Sequence, residues 1–361
     1  MKFISSKTIT RPWLAVALLA LLTAGGCSFT GSGSTHLAFV ATGNGIFAFR
    51  IDNRSGNATA VFTAPFIVGN SPSAIVITPS NQFAYVTNQV DGTISLLKVD
   101  TTGGTLTEVL PRTKTGISPG VMIMDSTGSF LFAADQGSND VEVFSIASNG
   151  TLKLVSTASV GSSPTSLALS KSGKLLYVAV PNFSAIYAFN VNAGALTAVA
   201  NSPFFVANGL AAVSLDTTGS FLYAPSPGTN TIAGFATNSG PLTPLPGSPY
   251  GTTVSTNQLT TPVAVVNDPS GKFLYVANFA ASAISGFTVA SSGDLTPLVS
   301  AAGSAGTNPS LITFDPDGKF LYVGNSGGNS ITIFTLDSSG ILSSTSTIQV
   351  GTVARGLAFT Q

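Results

Sequence analysis

Hydrophobic and polar positions alternate along most of this chain in short runs separated by Gly-, Pro-, Asn- and Asp-rich turns. Between positions 186 and 191, for example, Ile, Ala and Asn alternate with Tyr, Phe and Val. A period of two is typical of β-strands, and the spacing of three and four that marks amphipathic helices is absent. The pattern therefore predicts an all-β protein.

The strands belong to a repeat. Positions 315–325 read Asp-Pro-Asp-Gly-Lys-Phe-Leu-Tyr-Val-Gly-Asn, and positions 268–278 nearly duplicate them. Each copy has one aromatic residue at the same place: Phe39, Tyr85, Phe132, Tyr177, Tyr223, Tyr275 and Tyr322. The intervals are 46, 47, 45, 46, 52 and 47 residues, and a Pro-rich insertion at 241–251 accounts for the long one. The chain thus contains seven units.

Each unit predicts four strands, which we name A to D. Strand A follows a Gly-x-x-Pro start, strand B carries the aromatic residue, strand C alternates and strand D follows a Gly-x-Leu turn. Four strands in a period of this length indicate the blade of a β-propeller. We expect the tyrosines to pack between blades, and the Asn residues that end strand B, such as Asn325, to hold the next turn.

The two ends of the repeat region complement each other. Positions 36–49 match strands B and C with no strand A before them, and positions 351–359 match strand A with nothing after it. We therefore predict a seven-bladed β-propeller of four-stranded antiparallel blades, closed by pairing the C-terminal strand with the N-terminal strands.

The first residues have the layout of an export signal. Lys2, Lys7 and Arg11 precede an apolar stretch at 13–22, which is too short to span a bilayer. Ala-Gly-Gly and then Cys27, the only cysteine, follow. This arrangement resembles the bacterial lipoprotein signal, which implies cleavage before Cys27 and a lipid on its thiol. An ordinary secretory signal cleaved nearby is the alternative.

These features predict three segments: a signal peptide at 1–26, a lipid-anchored flexible tether at 27–35 and the propeller at 36–361. The predicted location is the bacterial cell envelope, either periplasmic or on the outer surface. Contact with a membrane is expected through the lipid anchor only.

Composition excludes several functions. Only 8% of residues are charged and the formal net charge is zero, so a nucleic-acid groove is not expected. With one cysteine and one histidine, the chain offers no metal cluster and no haem attachment motif. Asp315 and Asp317 occupy a turn that lacks the other ligands of a calcium loop. We predict no cofactor, no metal and a monomer.

A family resemblance comes from the repeat residues. Positions 85–88 spell Tyr-Val-Thr-Asn, the motif of a class of bacterial surface propellers. The wider pattern, Gly-x-x-Pro and then Asp-Pro-x-Gly-Lys-x-Leu-Tyr-Val-x-Asn, resembles the lactonase-like propellers related to 6-phosphogluconolactonase. The resemblance spans 36–359 and implies the same fold, but the shared residues are structural.

The resemblance also implies where a site would be. In lactonase-like propellers the residue after the Gly-x-x-Pro proline lies at the mouth of the central channel, and some of these residues are His or Arg. The equivalent positions here are Ser73, Gly120, Thr165, Ala211, Val263, Ser310 and Arg355. Only Arg355 carries charge, which makes it the one candidate catalytic residue.

Acid–base groups are scarce near those positions. Asp91 and Asp135 are the nearby acids, and neither has the context that the family implies. His36 is expected to be an exposed residue at the start of the domain. One arginine alone does not supply both a base and an oxyanion stabiliser.

Two functions remain open. The first is a non-enzymatic binding or scaffold propeller on the cell envelope, with an unidentified protein or carbohydrate ligand. The alternative is a lactonase-type hydrolase that acts on a sugar lactone.

Overall fold

The computed structural model describes residues 35–207, 209–238, 240–252, 260–298 and 303–361. The predicted signal peptide, Cys27 and nearly all of the predicted tether lie outside these ranges. Within them the first strand begins at Thr35, one residue before the predicted start of the propeller. No helix in the described part of the chain is long and apolar enough to cross a membrane.

The strands follow one another in the predicted order. Blade 1 contains β1 (Thr35–Thr42), β2 (Gly45–Asp52) and β3 (Ala58–Ala60). Blade 2 contains β4 (Pro72–Ile77), β5 (Phe83–Asn88), β6 (Thr93–Asp100) and β7 (Thr105–Lys114). Blade 3 contains β8 (Pro119–Met124), β9 (Phe130–Asp135), β10 (Asp140–Ile146) and β11 (Leu152–Ser159). Blade 4 contains β12 (Ser166–Leu169), β13 (Leu175–Val180), a 3-10 helix (Pro181–Phe183), β14 (Ala185–Asn192), β15 (Ala195–Ala198) and β16 (Phe204–Phe205).

Blades 5 to 7 continue in the same way. Blade 5 contains β17 (Ser214–Leu215), β18 (Phe221–Ser226), β19 (Thr231–Ala236), β20 (Thr243–Pro244) and β21 (Tyr250–Gly251). Blade 6 contains β22 (Pro262–Asn267), β23 (Phe273–Asn278), β24 (Ala283–Val289), β25 (Leu295–Pro297) and β26 (Gly303–Ser304). Blade 7 contains β27 (Pro309–Phe314), β28 (Phe320–Asn325), β29 (Ser330–Leu336) and β30 (Leu342–Gln349). The last strand is β31 (Ala354–Phe359).

The described residues form seven antiparallel sheets, one per repeat. The first sheet has the order β3-β2-β1-β31, so the C-terminal strand completes the N-terminal blade. The innermost strands of adjacent blades contact one another around a full circle: β31 with β4, β4 with β8, β8 with β12, β12 with β17, β17 with β22, β22 with β27 and β27 with β31. The predicted seven-bladed fold and its closure are confirmed.

Strand D departs from the prediction in blades 4, 5 and 6, where it is split into two segments that both pair with strand C. The interruption in blade 4 contains Pro203, which has no N–H to donate. There the hydroxyl of Ser202 accepts the N–H of Ala188 at 2.9 Å. In blade 5 Ser248 does the same for Gly234, at 2.9 Å. In both blades a serine hydroxyl thus accepts from a strand C N–H in place of a strand D carbonyl. The insertion at 241–251 includes β20 and β21.

The repeated tyrosines join neighbouring blades, as predicted. Tyr275 is fully buried, and its hydroxyl donates to the carbonyl of Gly340 in the next blade at 2.8 Å. Tyr85, Tyr177 and Tyr223 make the same bond, to Gly150, Gly240 and Gly293. In blade 7 the hydroxyl of Tyr322 is buried without a partner among the described residues. The interblade contact therefore combines ring burial with a hydrogen bond in four blades.

This difference allows a matched test. Tyr275→Phe removes a buried donor and leaves the Gly340 carbonyl without it, so the free energy of unfolding should fall by about 1 to 2 kcal/mol. Tyr322→Phe removes a hydroxyl that has no partner in the described part of the chain, and should change stability by less than about 0.5 kcal/mol or increase it. Urea unfolding measures both, and equal losses in the two variants would contradict the assignment.

Candidate active site

β-Bulges shape the upper face of the propeller, which we define as the face formed by the B-to-C turns and D-to-A loops. In β31 the register shifts so that Gly356 pairs with Ala41 and Ala354 with Thr42, which leaves Arg355 as the extra residue. The same shift follows Pro72, Pro119, Pro262 and Pro309. A bulge turns its extra side chain away from the ladder. This is the local reason why the residue after the proline position, a position that Ala354 occupies in β31, is directed differently from its neighbours.

Five of the seven predicted mouth positions lie in these bulges: Ser73, Gly120, Val263, Ser310 and Arg355. The other two, Thr165 and Ala211, precede the shorter innermost strands of blades 4 and 5. They bond to each other across the two blades, since the Thr165 hydroxyl donates to the Ala211 carbonyl at 2.9 Å.

A cavity of about 480 Å³ opens on this face over blades 7, 1, 2 and 3. It brings together four of the predicted positions and is lined by Ser73, Ala74, Ile75, Gln89, Gly120, Val121, Met122, Gln136, Ser310, Leu311, Val353, Ala354, Arg355, Gly356 and Leu357. Thr165, Ala211 and Val263 are outside this lining. We call it the mouth cavity.

Arg355 is the only ionisable side chain among the residues that line the mouth cavity, and it is exposed. The Nη1 atom of its guanidinium donates to the hydroxyl of Ser71 at 2.7 Å. No carboxylate of the described residues lies within ion-pair distance of it. The guanidinium lies beside Gly43, where an added Cβ would be 3.5 Å from Nη2. Arg355 thus keeps donors free for a ligand carbonyl or carboxylate.

Two amides border the same cavity, and the sequence prediction missed their role. Gln89 Nε2 lies 3.4 Å from Gln136 Oε1, so the two side chains connect blades 2 and 3. Gly120 permits this approach, because an added Cβ there would be 2.8 Å from Gln136 Nε2. Both glutamines directly follow the last residue of a strand B, which is the signal that could have identified them.

His36 is not the exposed terminal residue that the sequence suggested. It lies within β1, paired with Ile51, and its side chain is only 11% exposed. Its Nε2 is 3.3 Å from the Asp317 carboxylate. β1 extends one residue before the predicted start and carries His36 into the sheet. Because His36 is at the opposite end of β1 from Thr42, which pairs with Ala354, it is remote from the mouth cavity.

Blade 3 contains a pair of acidic residues where other blades have an amide and a hydroxyl. In three blades the Asn at the end of strand B donates to a hydroxyl seven residues later: Asn88 to Ser95, Asn278 to Ser285 and Asn325 to Thr332, at 2.9, 2.7 and 2.9 Å. The amide thus bonds to strand C, and in blades 2 and 7 it also reaches the first residue of that strand. The equivalent pair in blade 3 is Asp135 and Glu142.

One hydroxyl lies between these two acids. Thr115 Oγ1 is 3.1 Å from both oxygens of Asp135 and 2.9 Å from Glu142 Oε2, and a single proton cannot serve all three. Asp135 is fully buried. Burial and then the charge of Glu142 raise the pKa of Asp135 to about 7. Burial also raises the pKa of Glu142 and of Asp140.

Comparison with known proteins agrees with this architecture. The model of the family "Lactonase, 7-bladed beta-propeller" matches residues 30–155, 124–204, 195–303 and 241–357. The chain is therefore a seven-bladed propeller with a polar mouth cavity, and it belongs to this lactonase family.

Individual relatives are more distant. A 6-phosphogluconolactonase of Pectobacterium carotovorum is 28% identical over 150 residues, which is 37% of this chain and 45% of that protein. A 6-phosphogluconolactonase of Buchnera aphidicola is 31% identical over 93 residues, or 26% of this chain and 28% of that protein. The chain thus matches less than half the length of each of these relatives.

Solved structures extend the likeness in fold to the whole propeller. The periplasmic gluconolactonase of Pseudomonas aeruginosa superposes with a TM-score of 0.79 at 20% identity, covering 91% of this chain and 99% of that one. A Bacteroides fragilis propeller gives a TM-score of 0.80 at 22% identity, covering 92% and 99%. At these identities the likeness shows the fold.

The acid pair predicts an unusual pH dependence of stability. The folded chain keeps a proton on Asp135 that the unfolded chain releases above an ordinary pKa of 3.8. The stabilisation is therefore complete below about pH 4 and is lost as the pH rises to about 7, at a cost of about 2 to 4 kcal/mol. Asp135→Asn, which restores the amide of the other blades, should remove most of this loss in urea unfolding at a series of pH values.

The converse variant serves as control. Asn325→Asp places a buried carboxyl opposite Thr332 and should destabilise the chain more at about pH 7 than at about pH 4. A wild-type protein whose stability rises steadily across that window would contradict the assignment of a proton to Asp135 in the folded chain.

Proposed function

We propose that the chain hydrolyses neutral sugar lactones bound in the mouth cavity. The observation that carries this is Arg355, a cation without a carboxylate partner on the cavity wall, with neutral amides and hydroxyls around it. Membership of the lactonase family and the names of the relatives support the same reaction. With one cation in the lining, a phosphate group would find few partners, which favours an unphosphorylated substrate.

The chemistry follows from the guanidinium. Its free N–H groups bind the lactone carbonyl oxygen, which becomes an oxyanion when water adds to the carbonyl carbon. The bond from that carbon to the ring oxygen then breaks, and the ring oxygen takes up a proton released by the added water. The other proton of the water passes to solvent, and the product is a hydroxy acid whose carboxylate pairs with Arg355.

The described lining contains no acid and no histidine, so the water adds without a side-chain general base. Gln89 and Gln136 can orient this water through their amide groups. Removing one oxyanion donor typically costs about 10²- to 10³-fold in rate, and we expect an acceleration of this order from the site.

Arg355→Ala tests this proposal. It removes the oxyanion donor and should lower kcat/KM for glucono-δ-lactone by about 10²-fold or more, measured by acid release in a weak buffer and corrected for spontaneous hydrolysis.

The control is Arg50→Ala. Arg50 in β2 donates to the Thr102 carbonyl in the turn between β6 and β7 of blade 2 and is not part of the cavity lining, so this variant should leave the rate unchanged. A wild-type rate equal to that of buffer would refute the proposal.

A non-enzymatic binding propeller is the second candidate. The absence of an acid or histidine from the described lining favours it, because a binding site needs no general base. It would bind a neutral glycan or a protein loop through the same amides and hydroxyls. Ligand binding without turnover, lost in Arg355→Ala, would select this function over the first.

We also propose that the chain is exported and anchored through a lipid on Cys27, on the basis of the signal-like residues before it. Cys27→Ser should abolish incorporation of a labelled fatty acid and move the protein from the membrane fraction to the soluble envelope fraction. An unchanged distribution, with no label in the wild type, would instead indicate an ordinary secretory signal.

A further inference from the structure

A second depression opens on the upper face beside the mouth cavity. It has a volume of about 570 Å³ and lies between blades 2 and 3. The turn between β5 and β6 and the loop between β7 and β8 form it, with residues 89–93 and 114–118 in its lining. We call it the side groove.

Gln89 belongs to the lining of both depressions. Its amide lies 3.4 Å from that of Gln136, which lines the mouth cavity only, so Gln89 is the residue at which the two depressions adjoin. A ligand held by Arg355 that extends past Gln89 would therefore enter the side groove.

The side groove suits a neutral, hydroxyl-rich group. Val90 and Ile117 flank it with apolar side chains that are 74% and 67% exposed. The backbone of two glycines approaches closely, since an added Cβ on Gly92 would lie 3.0 Å from the Gly116 carbonyl oxygen. Such a wall of apolar faces and backbone groups fits a sugar ring, which has apolar faces and a polar rim.

The charges of the side groove cancel. Asp91 accepts both the backbone N–H and the amide of Asn70, at 2.8 and 2.6 Å, and Lys114 is the only cation in the lining. Arg112 Nη1, outside the lining, also lies 3.8 Å from Asp91 Oδ2. The lining thus carries one charge of each sign, with the carboxylate already bonded, and presents no cluster of like charge to a polyanion or a cation.

We propose that the side groove binds a second neutral sugar residue attached to the lactone, so that the preferred substrate class is a disaccharide-derived aldonolactone. This inference rests on the proposed lactonase function. The lactone ring occupies the mouth cavity at Arg355, and the glycosyl residue lies between Val90 and Ile117. The two depressions together far exceed the size of a single sugar ring.

The experiment compares kcat/KM for cellobiono-δ-lactone and glucono-δ-lactone. Wild-type protein should prefer the disaccharide lactone by about tenfold or more, because the second ring adds contacts without new chemistry. Ile117→Trp fills the groove and should reduce this preference about tenfold. Val90→Trp, on the opposite wall, should act in the same direction and guards against a folding defect in the first variant.

Thr307→Trp is the matched control, because Thr307 is the exposed equivalent of Ile117 in the loop before β27. It should leave the preference unchanged. Equal kcat/KM for the two lactones, or a preference that neither groove variant alters, would refute the side groove and leave the lactonase function standing. Failure to hydrolyse either lactone would refute the proposed function and this inference with it.

Discussion

The pairing of β31 with β1 is the constraint on which both the fold and the site depend. Without it blade 1 has only β1, β2 and β3, and the innermost strands of blades 7 and 2 lack the neighbour between them. The same strand carries Arg355. Ring closure and completion of the mouth cavity are therefore one structural event. An open ring would expose the edges of two blades and lose the only cation in the cavity lining.

The residue after Arg355 shows how tight this closure is. A Cβ on Gly356 would lie 3.0 Å from the Ala74 Cα and 3.1 Å from the Ile75 nitrogen, so the backbones of blades 1 and 2 touch there. Only glycine fits without displacing main chain. The bulge at Arg355 thus lies beside a close approach of the two blades. Paired strands fix the backbone of Arg355, and the Ser71 hydroxyl accepts from its guanidinium.

The architecture was predictable because it repeats. The same fold is indicated independently by the seven aromatic anchors, by the turn that ends in Gly318 and by the half-units at the two ends. A repeat unit whose pattern is weak can therefore be assigned by comparison with the other units. Mouth positions such as Arg355 were predictable for the same reason, through their place in the repeat, since Arg355 lies four residues after Gly351 just as Thr165 lies four residues after Gly161. The bulges that aim these side chains were not, because a register shift depends on pairing between strands.

What the repeat conceals is the departure of one copy from the rest. Asp135 and Glu142 replace an amide and a hydroxyl, and only the paired strands reveal that both acids meet at Thr115. The seven-residue offset shared by Asn88 and Ser95 was the signal available in the sequence. His36 was misjudged because the start of β1 is set by its pairing with β2, and no local pattern at the chain start marks that partner.

The low charge of the mouth cavity bears directly on the substrate. A phosphorylated ligand carries close to two negative charges, and Arg355, the one cation in the lining, compensates only part of them. A neutral lactone develops only one negative charge, and only when water adds to its carbonyl. In the proposed reaction one guanidinium would match that single charge at the moment when it forms. A lactone is an activated ester, so its ring-opening asks less of the protein than hydrolysis of an amide or a phosphate ester. The single cation of the lining is therefore the reason why the proposed substrate is a neutral sugar lactone and not the phosphorylated one that the names of the relatives indicate.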